Sequence, residues 1–212
     1  MSKYVDKLLS ISSSPFVQEQ ATLKPELLEI SGKLGQELEG LLHIKNGFYA
    51  FESALRVFPS CSSELSIGLG DWNSDNLWRK DYSGLADGCL FFAEDVFGGQ
   101  FCINNDFVCT FDPETGGLEE MAPSIEKWAK ELLNDYNLWT GYSLAHEWQE
   151  CNGILTKNTR LMPKIPFVCG GQFVIANLVA IDATSGMRSR ANLARQIIDL
   201  PDGAQIEFKI VD

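Results

Sequence analysis

The chain has 212 residues and a formal net charge of −12, long enough to bury a real hydrophobic core in one large domain or a domain with an appendage. It contains no apolar run approaching the roughly 20 residues that span a bilayer. The acidity argues against nucleic acid and anionic membrane and for a basic protein partner. It is also local: residues 64–120 hold twelve Asp and Glu against Arg79 and Lys80, whereas residues 151–212 sum to +2.

The opening MSKYVDKLLSISSSPFV interrupts its weakly apolar stretch with Asp6, so it does not read as a signal peptide, and a cytoplasmic address is expected. Six cysteines occur without a C-x-x-C pair, which predicts buried, reduced thiols rather than a disulfide framework. From Pro25 to about residue 45, Leu27, Leu34, Leu38, Leu41 and Leu42 recur at helical spacing, and Asn46-Gly47 stops the helix. The following FYAFESALRVFP predicts a second, buried helix or helical turn closed by Pro59. Residues 61–88 read as a polar loop with short helical turns, pinned by Trp72, Leu77, Trp78 and Tyr82.

From Cys89 the period changes. CLFFAED, GQFCIN and FVCTFD form a β-meander. Asp112 to Gly117 supplies a turn, and Ser124 caps the amphipathic helix IEKWAKELLND. A further helix is expected over about 138–150. FGGQFCINN at 97–105 is echoed by CGGQFVIAN at 169–177, either as distantly related hairpins or as one glycine-pair problem solved twice; the second fits better, because the segments between do not align. The tail NLARQIIDLPDGAQIEFKIV predicts a helix, a Pro-Asp-Gly turn and a closing strand.

No catalytic or metal constellation survives inspection. His146-Glu147-Trp148-Gln149-Glu150 has Glu where a zinc-protease helix needs its second histidine. Asp71-Trp72-Asn73-Ser74-Asp75 opens like a calcium loop but has Asn76 and Tyr82 at its required Gly and Glu positions. There is no phosphate loop, dinucleotide fingerprint or nucleophile elbow. Glu94-Asp95 suggests an acid and base pair, but adjacent strand residues face opposite ways without a bulge. No cofactor is expected.

The helical first part ending LLHIKNGFYAFESALRVFP, the aromatic loop, FFAEDVFGGQFCIN, FVCTFDPETGGLEEM and the helix bearing Trp128 together resemble the SUKH superfamily of bacterial toxin-immunity proteins and fungal cell-wall synthesis regulators. The resemblance covers about residues 25–135 and is most specific over 90–133. It implies an α+β fold with a mainly antiparallel sheet packed against N-terminal and C-terminal helices, no catalytic centre, and a surface that neutralises a cognate toxin. Residues 1–150 form the expected SUKH-like domain, and 151–212 a β-rich extension, packed on the same sheet or separate from it.

A nuclease or deaminase toxin needs basic surface for phosphate, which an acidic immunity protein can cover. The expected contact residues are Asp71, Asp75, Asp81, Asp87, Glu94, Asp95, Asp106 and Glu114, with Trp72, Trp78 and Tyr82 as interface anchors. A solvated acidic face and core packing of the aromatics are the competing readings. Two alternative functions stand beside immunity: a regulatory or scaffolding module with another partner, and a small hydrolase using Cys or carboxylates.

Overall fold

The computed structural model describes residues 3–201, 203 and 204. Two helices come first, α1 (Lys3–Ser10) and α2 (Pro25–Ile44), the latter broken at Gly32 by a left-handed backbone with φ 53°. Six strands then form one antiparallel sheet in sequence order: β1 (Phe48–Ala50), β2 (Leu55–Val57), β3 (Leu90–Asp95), β4 (Gln100–Asn104), β5 (Phe107–Phe111) and β6 (Leu118–Ala122). The short helix α3 (Leu69–Trp72) and a 3-10 turn at Arg79–Tyr82 lie in the long β2–β3 connection. After the sheet come α4 (Ile125–Asn134), α5 (Tyr136–Thr140) and α6 (Tyr142–Asn152). The chain ends its described part with the hairpin of β7 (Thr159–Pro163) and β8 (Leu178–Asp182), and α7 (Ala183–Ile197). No helix among the described residues is long and apolar enough to cross a membrane.

The near-continuous apolar run of β3 demands cover on both faces of the sheet, and both are covered. On one side Phe92 and Phe101 meet Trp128 of α4 edge-on, beside the buried leucines of α2. On the other side Phe91 and Phe111 pack with Trp78 and Tyr82. Strand alternation sends the adjacent Phe91 and Phe92 to the two layers, and a bulge follows between Phe91 and Ala93. Ser124 caps α4 as its sequence predicts, accepting from the Lys127 N–H at 3.1 Å.

The expected helix in FYAFESALRVFP is instead the β1–β2 hairpin. Its turn sets Phe51, Glu52 and Ser53 in the left-handed region, with φ 51°, 51° and 71°. Such backbone costs about 1–2 kcal/mol per residue. Helix α6 holds the turn: Gln149 Nε2 donates to the Glu52 carbonyl at 3.0 Å, and His146 Nδ1 lies 2.7 Å from Glu52 Oε2. That contact raises the His146 pKa and lowers that of Glu52.

The described part of the last third is not β-rich. Between its two five-residue strands and its tail lies a 15-residue helix that begins nine residues before the predicted start at Asn192, with Asp182 capping the Ser185 N–H at 2.9 Å. The predicted closing strand falls outside the described residues. Among the described residues the segment adds no strand to the six-stranded sheet; it covers a face of it. Arg56, Glu94 and Gln100 are cross-strand neighbours on β2, β3 and β4. Arg56 Nη2 pairs with Glu94 Oε1 at 2.8 Å, Arg160 of β7 pairs with the same oxygen, and Arg56 Nη1 donates to Asn158 at 2.5 Å. This fully buried triad bolts the extension to the sheet.

The echo at 169–177 does not repeat the first as a hairpin. Residues 100–104 form β4, whereas 169–177 contain two 3-10 turns and no strand. Asn177 explains the difference: its side chain accepts from the Ile165 N–H and donates to the Ile165 and Gln172 carbonyls, closing a loop.

Candidate functional site

The sheet's second face, the 112–117 turn, α5 and the 167–173 loop enclose an open cleft of about 500 Å³. Its geometry starts at the β3–β4 turn. Asp95 Oδ1 accepts from the Phe97 and Gly99 N–H groups, each at 2.8 Å. Gly98 has φ 83°, and a Cβ there would sit 2.5 Å from Arg190 Nη2; a Cβ on Gly99 would sit 2.5 Å from Asp95 Oδ2. The glycine pair therefore allows a guanidinium and a carboxylate to approach the same turn.

Across the cleft, the Asp112 side chain accepts from the Glu114 N–H at 2.7 Å, an Asx turn that presents Glu114. Glu114 is 4 % exposed. Its Oε2 accepts from the Val168 N–H at 2.9 Å, while its buried Oε1 has no hydrogen-bond partner. Burial pushes the Asp95 carboxyl up to about 7 and raises that of Glu114; Arg190 opposes both shifts. Arg190 spends its guanidinium on the Phe97 carbonyl at 2.7 Å and the Gly186 carbonyl at 3.0 Å. Among the described residues it forms no ion pair.

Aromatic rings complete the cleft. Phe167 and Phe173 stack at 3.8 Å, and Phe97 meets both edge-on. Phe173 is 64 % exposed and Leu138 70 %. Large apolar groups left in solvent around a concavity mark a binding surface.

The predicted contact residues separate into three groups. Asp71, Asp75, Asp87 and Asp106 are exposed, on the outer loops. Asp95 and Glu114 line the cleft. Asp81 is partly exposed, and the other four are corrected. Trp72, Trp78 and Tyr82 are fully buried: Trp72 stacks on Phe58 and donates to Gln100, and the Tyr82 hydroxyl donates to the Pro113 and Met187 carbonyls at 2.9 and 3.1 Å. They are core, because the sheet's second face needs a layer. Glu94 is consumed by the buried triad, and Asp81 is bound by Arg188 at 3.0 Å.

The basic last third thus neutralises part of the acidic window within the chain itself. Sequence reasoning missed Phe167, Phe173 and Arg190, because nothing in 151–212 signalled a binding site, and it missed Leu138, which was read only as part of a helix over about 138–150. All six thiols are free, as expected, but the expected burial holds for Cys89, Cys102 and Cys109 and not for Cys61 and Cys151, which are exposed, while Cys169 is half-buried.

These features define an α+β protein with a six-stranded antiparallel meander, helices on one face and a clefted second layer on the other. A solved structure from Agrobacterium tumefaciens, that of Atu4351, is similar over 90 % of this chain and 88 % of its own, with a TM-score of 0.52 and 13 % identity. At that identity the likeness concerns the fold alone. No protein-family profile and no curated protein matches the chain.

Proposed function

We propose that the protein is a non-catalytic immunity protein of SUKH-like type, acting in the cytoplasm by binding and neutralising a basic toxin that targets nucleic acid. The observation that carries this reading is the acid-rimmed, aromatic-lined cleft, with Phe173 and Leu138 in solvent, on a chain whose surface elsewhere exposes Asp71, Asp75, Asp87 and Asp106. Aromatic anchors inside a charged rim are the usual anatomy of a protein interface. The resemblance of residues 25–135 to immunity proteins supplies the class of partner. Co-expression tests it: the toxin encoded beside this gene should arrest growth alone and cease to do so with this chain. Growth arrest that persists despite equal expression of both proteins counts against immunity and leaves the regulatory module as the better reading.

One observation favours hydrolysis instead. Two carboxyl groups raised by burial share a cleft, as in sites that use one carboxyl as acid and another as base. Turnover of ester or glycoside substrates by the purified chain, abolished in both Asp95→Asn and Glu114→Gln, would establish it.

A further inference from the structure

We infer that the cleft receives an arginine side chain of the partner, between the Phe97, Phe167 and Phe173 rings and the carboxylates of Asp95 and Glu114. This rests on the protein-binding reading above and names the chemistry of its contact. Three independent features converge on a guanidinium. Glu114 is almost completely buried, yet its Oε1 has no hydrogen-bond partner. A carboxylate oxygen in that state lacks a donor, and a planar guanidinium offers five in a fork that matches a carboxylate.

The rings supply faces over which a guanidinium stacks, and Phe173 is mostly in solvent. The lining also holds four acidic residues, Asp95, Asp112, Glu114 and Glu119, against Arg190 alone. Arg190 does not already fill the role, because its hydrogen bonds run to the Phe97 and Gly186 carbonyls. Arg190 and Glu114 both line the cleft, and among the described residues Glu114 forms no ion pair.

The test uses the full chain and two small probes, N-acetyl-arginine amide and its uncharged isostere N-acetyl-citrulline amide, titrated into isotope-labelled protein. The Gly99 and Val168 amides report, since they donate to Asp95 and Glu114. Saturable shifts at both with the arginine probe and not with citrulline are expected. Glu114→Gln should weaken the arginine titration roughly tenfold or more, as for loss of a hydrogen bond to a charged group. Phe173 lies mostly in solvent, so Phe173→Ser tests the same cleft without emptying the core and should weaken binding several-fold. Equal shifts with citrulline, or an arginine titration unchanged in both variants, would overturn the assignment. Toxin neutralisation is scored separately: variants that lose the probe but still protect cells refute the arginine contact and leave the immunity reading intact. Probe binding without protection does the reverse.

Discussion

At the scale of single residues, burial sorts the carboxylates into different tasks. Asp95 has its pKa raised from 3.8 to about 7. The folded state therefore holds a proton that the unfolded chain releases, and stability falls as pH rises through that interval. Asp95→Asn keeps an oxygen to accept from Phe97 and Gly99 and cannot ionise. Urea midpoints measured across this pH interval should fall less steeply in the variant than in the wild type, and parallel curves would remove Asp95 from the account. Glu94 has a different task, as the buried partner of Arg56 and Arg160. Glu94→Gln leaves both guanidinium groups without their carboxylate and should cost roughly 3–5 kcal/mol in equilibrium unfolding. Trp72→Ala should cost a similar 3–5 kcal/mol without altering partner contacts except through unfolding.

At the scale of elements, what was legible in the sequence followed local signals. Short runs rich in aromatic and β-branched residues, separated by glycine and asparagine, placed β3, β4 and β5, and the leucine spacing with Pro25 placed α2. The β1–β2 hairpin was illegible because Phe51-Glu52-Ser53 turns without glycine or asparagine, and α6 rather than the local sequence holds it there. Helix α7 was read late because its first turns, ATSGMRSR, bury small residues, Met187 and Arg190 rather than an aliphatic stripe.

The cleft was half visible: Asp95 and Glu114 stand in the acidic window, but the rings that oppose them come from distant positions, and no spacing rule links Phe97 to Phe173. The extension's role can be checked directly. Truncation after Asn152 removes Arg160, Asn158, Met187 and α7 from the sheet's second face, exposing the Arg56–Glu94–Gln100 row and the aromatic layer. The product should be insoluble or lack cooperative unfolding, whereas a soluble, cooperatively folding 1–152 fragment would show the last third to be a separate module.

At the scale of the molecule, the acidic window and the basic last third neutralise one another in part, through Glu94 with Arg160 and Asp81 with Arg188. What faces solvent for an outside partner is the exposed set, Asp71, Asp75, Asp87 and Asp106, outside the cleft lining. Exposed charges of one sign steer encounter, and salt screens them. The most direct test of binding through this surface is the stopped-flow association rate with the cognate toxin across a salt series, for the wild type and for the chain carrying Asp71→Lys, Asp75→Lys and Asp87→Lys, with Asp199→Lys as control. The association rate should fall as salt rises and drop about tenfold or more in the triple variant at low salt, while the control follows the wild type. Association rates insensitive to both salt and the triple reversal would contradict it.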